Sequence, residues 1–388
     1  MVIQKRRKLL LVVGILLLAA NMRAPLTAVG AVAPIIEINA GLSKAAIGLL
    51  TTIPLISFSI ASVLAILLIK NIGILDSVLS GTVLILLGEI IRSFSAVSGL
   101  YIGTLLIGFG IGLENVAMVV IIKTFFLNRI RIMTSFYTSI MSLFGGIGSW
   151  VSISLMSKYG LNWNTILSVW IPAILLTVII WIIIIVNQRY HPEFTCSHIT
   201  KTKYQPKKSL FLYLTLYVGM QSLLFYCVLS WLPSILKSLG IESNYLGLLI
   251  FLNQTISIPS GFIIPILADK KKSTPLLIIA SGIFLATGIL LLMLPRHNIS
   301  TLIGVILIAI GLGSSFSMGV VLINLKTENA EESSRLAGIA LAVGYLLASV
   351  GPFFIGFTYD QLNSWVLPLL FLILIAAMMV GVGLKIEN

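Results

Sequence analysis

IGTLLIGFGIGLENVAMVVIIKT, residues 102–124, returns as IGVILIAIGLGSSFSMGVVLINL at residues 303–325. In this register Gly103, Gly110 and Gly112 fall on Gly304, Gly311 and Gly313, and Val119 and Val120 fall on Val320 and Val321. A shared pattern of glycines and aliphatics about 200 residues apart reads as an internal duplication, and each copy is long enough to cross a bilayer.

The rest of the chain agrees on the solvent. Of 388 residues, 58% are apolar and 10% charged, with a mean hydropathy of +1.11, outside the range of soluble globular domains. Apolar runs of about 20 residues predict twelve spans, at 9–35, 46–69, 76–95, 100–124, 133–157, 163–187, 210–236, 244–268, 274–294, 299–325, 334–358 and 364–385. The longest polar stretch, QRYHPEFTCSHITKTKYQPKKS at 188–209, divides them six and six. The expected fold class is therefore all-α integral membrane, with twelve transmembrane helices in two six-helix bundles at 1–187 and 210–388, joined by the linker 188–209. The runs are continuously apolar and do not alternate every second residue, which favours helices over a β-barrel. The opening KRRK with its apolar run resembles a signal peptide, but the run continues to Pro34 and eleven spans follow, so it reads as a retained first helix.

Lys and Arg accumulate on the cytoplasmic side of membrane proteins. With the N-terminus inside, that side collects 19 of the 25 basic residues, and the opposite side only Lys44, Lys158, Lys237 and Arg296. A multi-pass protein of the cell membrane with both termini cytoplasmic is expected. The net charge of +13 then needs no nucleic-acid partner, because anionic headgroups attract it. Cys196 lies in the linker and Cys227 within a span, so neither suggests a disulfide or a metal cluster, and His191, His198 and His297 are all in loops. HExxH, GxSxG and GxxxxGK[ST] are absent, which removes zinc proteolysis, a serine-hydrolase elbow and built-in ATP hydrolysis. No enzyme activity, cofactor or metal is expected, and a chain holding both halves is expected to work as a monomer.

Four charges sit at membrane depth: Arg23, Glu89, Arg92 and Glu114. Such charges are normally paired, snorkelling or turned to a water-filled path. Arg23 stands about 14 residues into the first span, roughly 21 Å deep, on one face with Thr27, Gly30 and Pro34. Its guanidinium offers a planar fork of donors to a small anionic or delocalised solute; the alternative is a structural pair with a carboxylate such as Glu114. Glu114, beside Asn115, is a proton-coupling candidate or else a fixed counter-ion, and its repeat mate is Ser315. Glu89 and Arg92, three apart, have the spacing of an intrahelical pair. In the seventh span Gln221, Ser222, Phe225 and Tyr226 spread over about 140° of helix, a possible opposite wall of the cavity, while Trp231 and Pro233 read as belt and kink.

Several stretches resemble the major facilitator superfamily, and within it the cyanate permease and 2-nitroimidazole transporter family. They are NMRAPLTAVGAVAP at 21–34, GLLTTIP at 48–54, GIG with Asn115 and IIK in the fourth span, QSLLFYCVLSWLP at 221–233, IPSGFIIPILADK at 258–270 and GYLLASVGPFFIG at 344–356. The resemblance implies a two-bundle transporter exposing a central site alternately to each side, with small planar solutes such as cyanate or nitroimidazoles as substrates. The superfamily's loop signature between spans 2 and 3 is missing, where the chain reads IKNIGILD; a trace survives as LADKKK, placing Asp269 to latch the cytoplasmic helix ends. Proton coupling through Glu89 or Glu114 is not implied by the resemblance.

The working mechanism has Arg23, Thr27 and Asn115 holding the solute from the first half and Gln221, Ser222 and Tyr226 closing from the second, with Glu114 as the proton site and Asp269 as a gate. Moving an anion inward against an inside-negative potential costs about 2.3 kcal/mol per 100 mV, which favours a co-transported proton. The rival readings are export of a neutral or cationic aromatic compound, depending on Phe225 and Tyr226, and a membrane sensor, for which the linker of 22 residues offers no output domain.

Overall fold

The protein is described by a computed structural model covering residues 2–387 except 95, 127–128, 190–207, 269–272, 295–296 and 328–329. The described residues form fourteen helices. They are α1 (Val2–Asn21), α2 (Ala24–Ala40), α3 (Lys44–Ile72), α4 (Ile74–Phe94), α5 (Val97–Phe125), α6 (Ile130–Tyr159), α7 (Trp163–Ser168), α8 (Ile171–Arg189), α9 (Lys208–Ser238), α10 (Ser243–Ala268), α11 (Thr274–Met293), α12 (Asn298–Leu325), α13 (Ala330–Leu362) and α14 (Val366–Glu387). They build twelve membrane spans in two six-helix bundles. Two spans are each made of two helices: α1 and α2 share the first, broken at Met22 and Arg23, and α7 and α8 share the sixth. Turns are sharp because Gly41 and Gly160 end α2 and α6 at φ 63° and 61°, a left-handed conformation that costs glycine little.

The duplicated glycines are points of backbone contact. A Cβ on Gly88 of α4 would lie 2.5 Å from the carbonyl oxygen of Gly103 on α5; on Gly288 of α11 it would lie 2.7 Å from that of Gly304 on α12. Gly110 and Gly311 repeat the arrangement one helical step further, against Gly81 with Ile85 and against Ser281 with Leu285. Without a driving force between apolar helices in lipid, close backbone approach supplies the packing, which explains why these glycines recur.

The halves meet along α3 with α13, α6 with α10, and α2 with α9. Thr52 Oγ1 donates to the Ser349 carbonyl at 2.6 Å. The Asp360 carboxylate accepts the backbone N–H groups of Lys44 and Ala45 at 3.0 and 2.8 Å, capping the N-terminus of α3. The joint is sealed at one end only. Along the α3 face, Gly48, Thr52 and Leu55 are buried, Ser62 is half-buried and Ile66 is exposed; on α13, Gly356, Pro352 and Ser349 are buried, Tyr345 and Ala342 are half-buried and Gly338 is exposed, with nothing within 4 Å of a Cβ built on it. Both faces follow the same alternating three- and four-residue step, so a cleft opens toward the end of the molecule that carries Lys70 and Lys326.

Candidate functional site

The break in the first span begins with Pro25. It has no N–H for the Asn21 carbonyl, which removes one helical hydrogen bond at the break, and Arg23 N–H turns to the Ala20 carbonyl at 3.3 Å. Asn21 anchors the upstream side, its Nδ2 donating to the Ala173 carbonyl and to Thr177 Oγ1 on α8. Arg23, at the start of α2, is thereby turned into a cavity of about 30 Å³ at the closed end of the cleft. Met22, Arg23 and Leu26 line it from the break, Phe58 from α3, Ile111 and Asn115 from α5, Met141 from α6, Tyr226 from α9 and Tyr345 from α13. This is far smaller than the ~300–1,000 Å³ of sites for drug-sized ligands and has room for only a few heavy atoms.

The Arg23 guanidinium carbon lies 4.8 Å from the centre of the Phe225 ring and 5.9 Å from that of Tyr226. Tyr345 stands edge-on to Phe58 at 5.5 Å and to Tyr226 at 6.2 Å, completing an aromatic cage. Among the described residues no carboxylate is within ion-pair distance of Arg23. The Tyr137 hydroxyl is 3.4 Å from Asn115 Oδ1 and 3.3 Å from Met22 Sδ. The chemistry on offer is a half-buried cation resting on rings, with an amide and hydroxyls around it, which suits a flat solute with negative or delocalised charge.

The structure brings Arg23, Asn115 and Tyr226 together and places the other site candidates elsewhere. Thr27 is buried between α2 and α6, its hydroxyl bonded to the Ala24 carbonyl at 3.2 Å, and a Cβ on Gly148 would lie 2.6 Å from that oxygen. Gln221 lines a second cavity of about 60 Å³ between α9, α12 and α13, beside Tyr217 and Ser315. Ser222 is buried and lines neither cavity. Asp269 falls outside the described residues.

Glu114 is fully buried and does not pair with Arg23. It points at α4, where Thr82 Oγ1 donates to its Oε1 at 2.8 Å and Gly81 makes room for its Cγ; among the described residues its Oε2 has no hydrogen-bond partner. Tyr137, whose hydroxyl reaches Asn115 and Met22 of the cavity lining, is also within electrostatic reach of Glu114 and Arg23. Glu89 and Arg92 form the intrahelical pair that their spacing suggests, at 2.7 Å and with both side chains 0% exposed. Phe58, Tyr137 and Tyr345 were not singled out as site residues, although Tyr345 sits in the stretch GYLLASVG that carries part of the family resemblance.

The sequence profile of the Major Facilitator Superfamily matches residues 9–352. The chain is 36% identical over 372 residues to the uncharacterized transporter YycB of Bacillus subtilis (strain 168), covering 95% of this chain and 91% of the relative. It is 30% identical over 380 residues to the 2-nitroimidazole transporter of Escherichia coli (strain K12), covering 98% and 95%. It is 23% identical over 343 residues to the cyanate transport protein CynX of the same strain, covering 88% of each. A solved bacterial homolog of the human lysosomal transporter Spinster, inward-facing and occupied, shares the fold with a TM-score of 0.75 at 13% identity, covering 98% of this chain and 97% of that one.

Proposed function

The chain belongs to the Major Facilitator Superfamily, and we propose that this membrane transporter carries a small planar solute, anionic like cyanate or electron-poor like a nitroimidazole, by alternating access. The observation that carries the reading is Arg23, held over Phe225 in a small cavity with no carboxylate pairing to it among the described residues. A solute with negative or delocalised charge supplies the missing counter-charge and stacks in the cage of Phe58, Phe225, Tyr226 and Tyr345, while Asn115 offers its amide. The names of the two characterised relatives point to solutes of this size and shape.

In this reading the bundles are residues 1–187 and 210–388, both termini are cytoplasmic, and the open cleft faces the cytoplasm, because the end bearing Lys70 and Lys326 is the basic one. The structure is then the inward-open state. Reaching the outward state requires α3 and α13 to part at Asp360 and Thr52 and to close at Ile66 and Gly338. Thr27, which packs α2 on α6, supports the wall behind Arg23. Gln221 and Ser222 act on the cytoplasmic side of the site, Asp269 latches the cytoplasmic helix ends, and the transporter works as a monomer. Glu114, a buried carboxylate with one hydroxyl donor and no paired cation among the described residues, is the group for a co-transported proton, with Tyr137 linking it to the cavity.

Reconstitution in liposomes loaded with a pH-sensitive dye tests both parts. Added cyanate or 2-nitroimidazole should enter through the unaltered protein and about 10- to 100-fold more weakly through Arg23→Gln, with protein-dependent acidification if a proton accompanies it. Entry undiminished in Arg23→Gln would overturn the reading. The cage of rings also favours a second reading, export of neutral aromatic compounds, in which Phe225 and Tyr226 matter more than Arg23.

A further inference from the structure

Behind the cavity lies a group that the transport scheme does not use. Arg92 on α4 is 0% exposed; besides its pair with Glu89, its Nη2 donates to the Pro25 carbonyl of α2 at 2.7 Å, two residues past Arg23. Among the described residues its Nε and Nη1 have no hydrogen-bond partner. A buried ion pair is weak evidence for stability, because desolvation of both ions offsets their attraction, so its presence asks for another explanation. The second half carries the control. The glycine contacts align α4 with α11 so that Glu89 and Arg92 correspond to Ile289 and Leu292, and the counterpart of the first span in that half, α9, runs unbroken from Lys208 to Ser238. The half with a broken helix has the charged pair, and the half with a continuous helix has two aliphatic residues.

We propose that Arg92, held by Glu89, is a positioning residue for Arg23: by gripping the Pro25 carbonyl it fixes the geometry of the break and hence the direction in which the Arg23 guanidinium enters the cavity. Asn21, bonded to α8, holds the other side of the break. Arg92 acts through the backbone and does not touch the solute. The proposal rests on the reading of Arg23 as the solute-binding cation, but its first test does not depend on any substrate.

Two neutral replacements of the pair are built, Glu89→Ile/Arg92→Leu, which copies the second half, and Glu89→Gln/Arg92→Met, so that a folded protein without the Pro25 bond is available. Each is combined with Arg23→Cys in a chain lacking Cys196 and Cys227, and the rate of modification by a cationic methanethiosulfonate is measured in inside-out vesicles. The expected result is a change of about tenfold or more at Arg23→Cys, the scale on which supporting residues act, with Ile66→Cys on the exposed α3 face within about twofold. An unchanged rate at Arg23→Cys, or an equal change at both positions, overturns the proposal. A second arm measures cyanate and 2-nitroimidazole uptake: the pair replacement should raise KM about tenfold with little change in maximal rate, and should add nothing in an Arg23→Gln background. Additive losses would also overturn it. If the unaltered protein carries neither probe, the substrate assignment fails while the labelling result still decides the role of Arg92.

Discussion

In the first half, α4 and α5 touch where Gly88 meets Gly103 and Gly81 meets Gly110; in the second, α11 and α12 touch where Gly288 meets Gly304 and Ser281 meets Gly311. Around those matching contacts the contents diverge. Glu114 with Thr82 occupies the place of Ser315 with Gly282, Glu89 and Arg92 that of Ile289 and Leu292, and the broken first span that of the continuous α9. Backbone approach is what the duplication preserved, since it depends only on the absence of a side chain. Among the described residues the buried charges belong to one half alone. A bundle needs the first to form, and the second has to be accounted for by what the protein carries.

The strongest way to break this comparison is Arg23→Gln. Losing a charge-assisted contact should weaken solute uptake in proteoliposomes by about 10- to 100-fold, with Arg23→Lys retaining part because the ammonium keeps the charge but not the planar fork. If uptake survives intact, the asymmetry of charge has no bearing on transport. Glu114→Gln comes next: internal acidification should disappear while exchange of labelled solute across the membrane continues, and loss of both together would make Glu114 a structural group. The scaffold makes the opposite prediction of symmetry. Gly88→Ala and Gly288→Ala should each lower thermal stability, by a similar amount of order 1–3 kcal/mol, because each Cβ meets a backbone carbonyl that cannot turn aside; a large difference between them would show that the halves are not packed alike. Asp360→Asn should weaken the cap on α3 by about 1 kcal/mol and raise labelling of the sealed end from outside. The smallest effect is expected from Ser315→Ala, within about twofold in uptake, since that hydroxyl donates to the Leu312 carbonyl of its own helix, an exchange worth little.

The candidate site was partly legible from the sequence. Arg23 could be found because a charge deep in an apolar run has few innocent uses, and the Glu89–Arg92 pair because three-residue spacing puts both on one face of a helix. Glu114 and Asn115 show where this stops. They are adjacent and at one depth, yet successive residues point about 100° apart on a helix, and only the packing of α5 against α4 decides that the acid faces Thr82 and the amide faces the cavity. Gln221 and Tyr226, placed on one arc, are likewise divided between two cavities by the position of α12 and α13.

Span number, the duplication with its recurring glycines and the four unusual charges were all determined by the sequence itself, because apolar length, glycine recurrence and charge in hydrocarbon are local properties that lipid leaves little freedom to override. Tertiary structure alone decided that Arg23 rests on Phe225 without pairing to Glu114, that Tyr345 and Phe58 close the cage, and that Arg92 reaches back to Pro25. Each of these depends on which faces of helices far apart in the chain are brought together, and the order of residues along any one helix does not specify that.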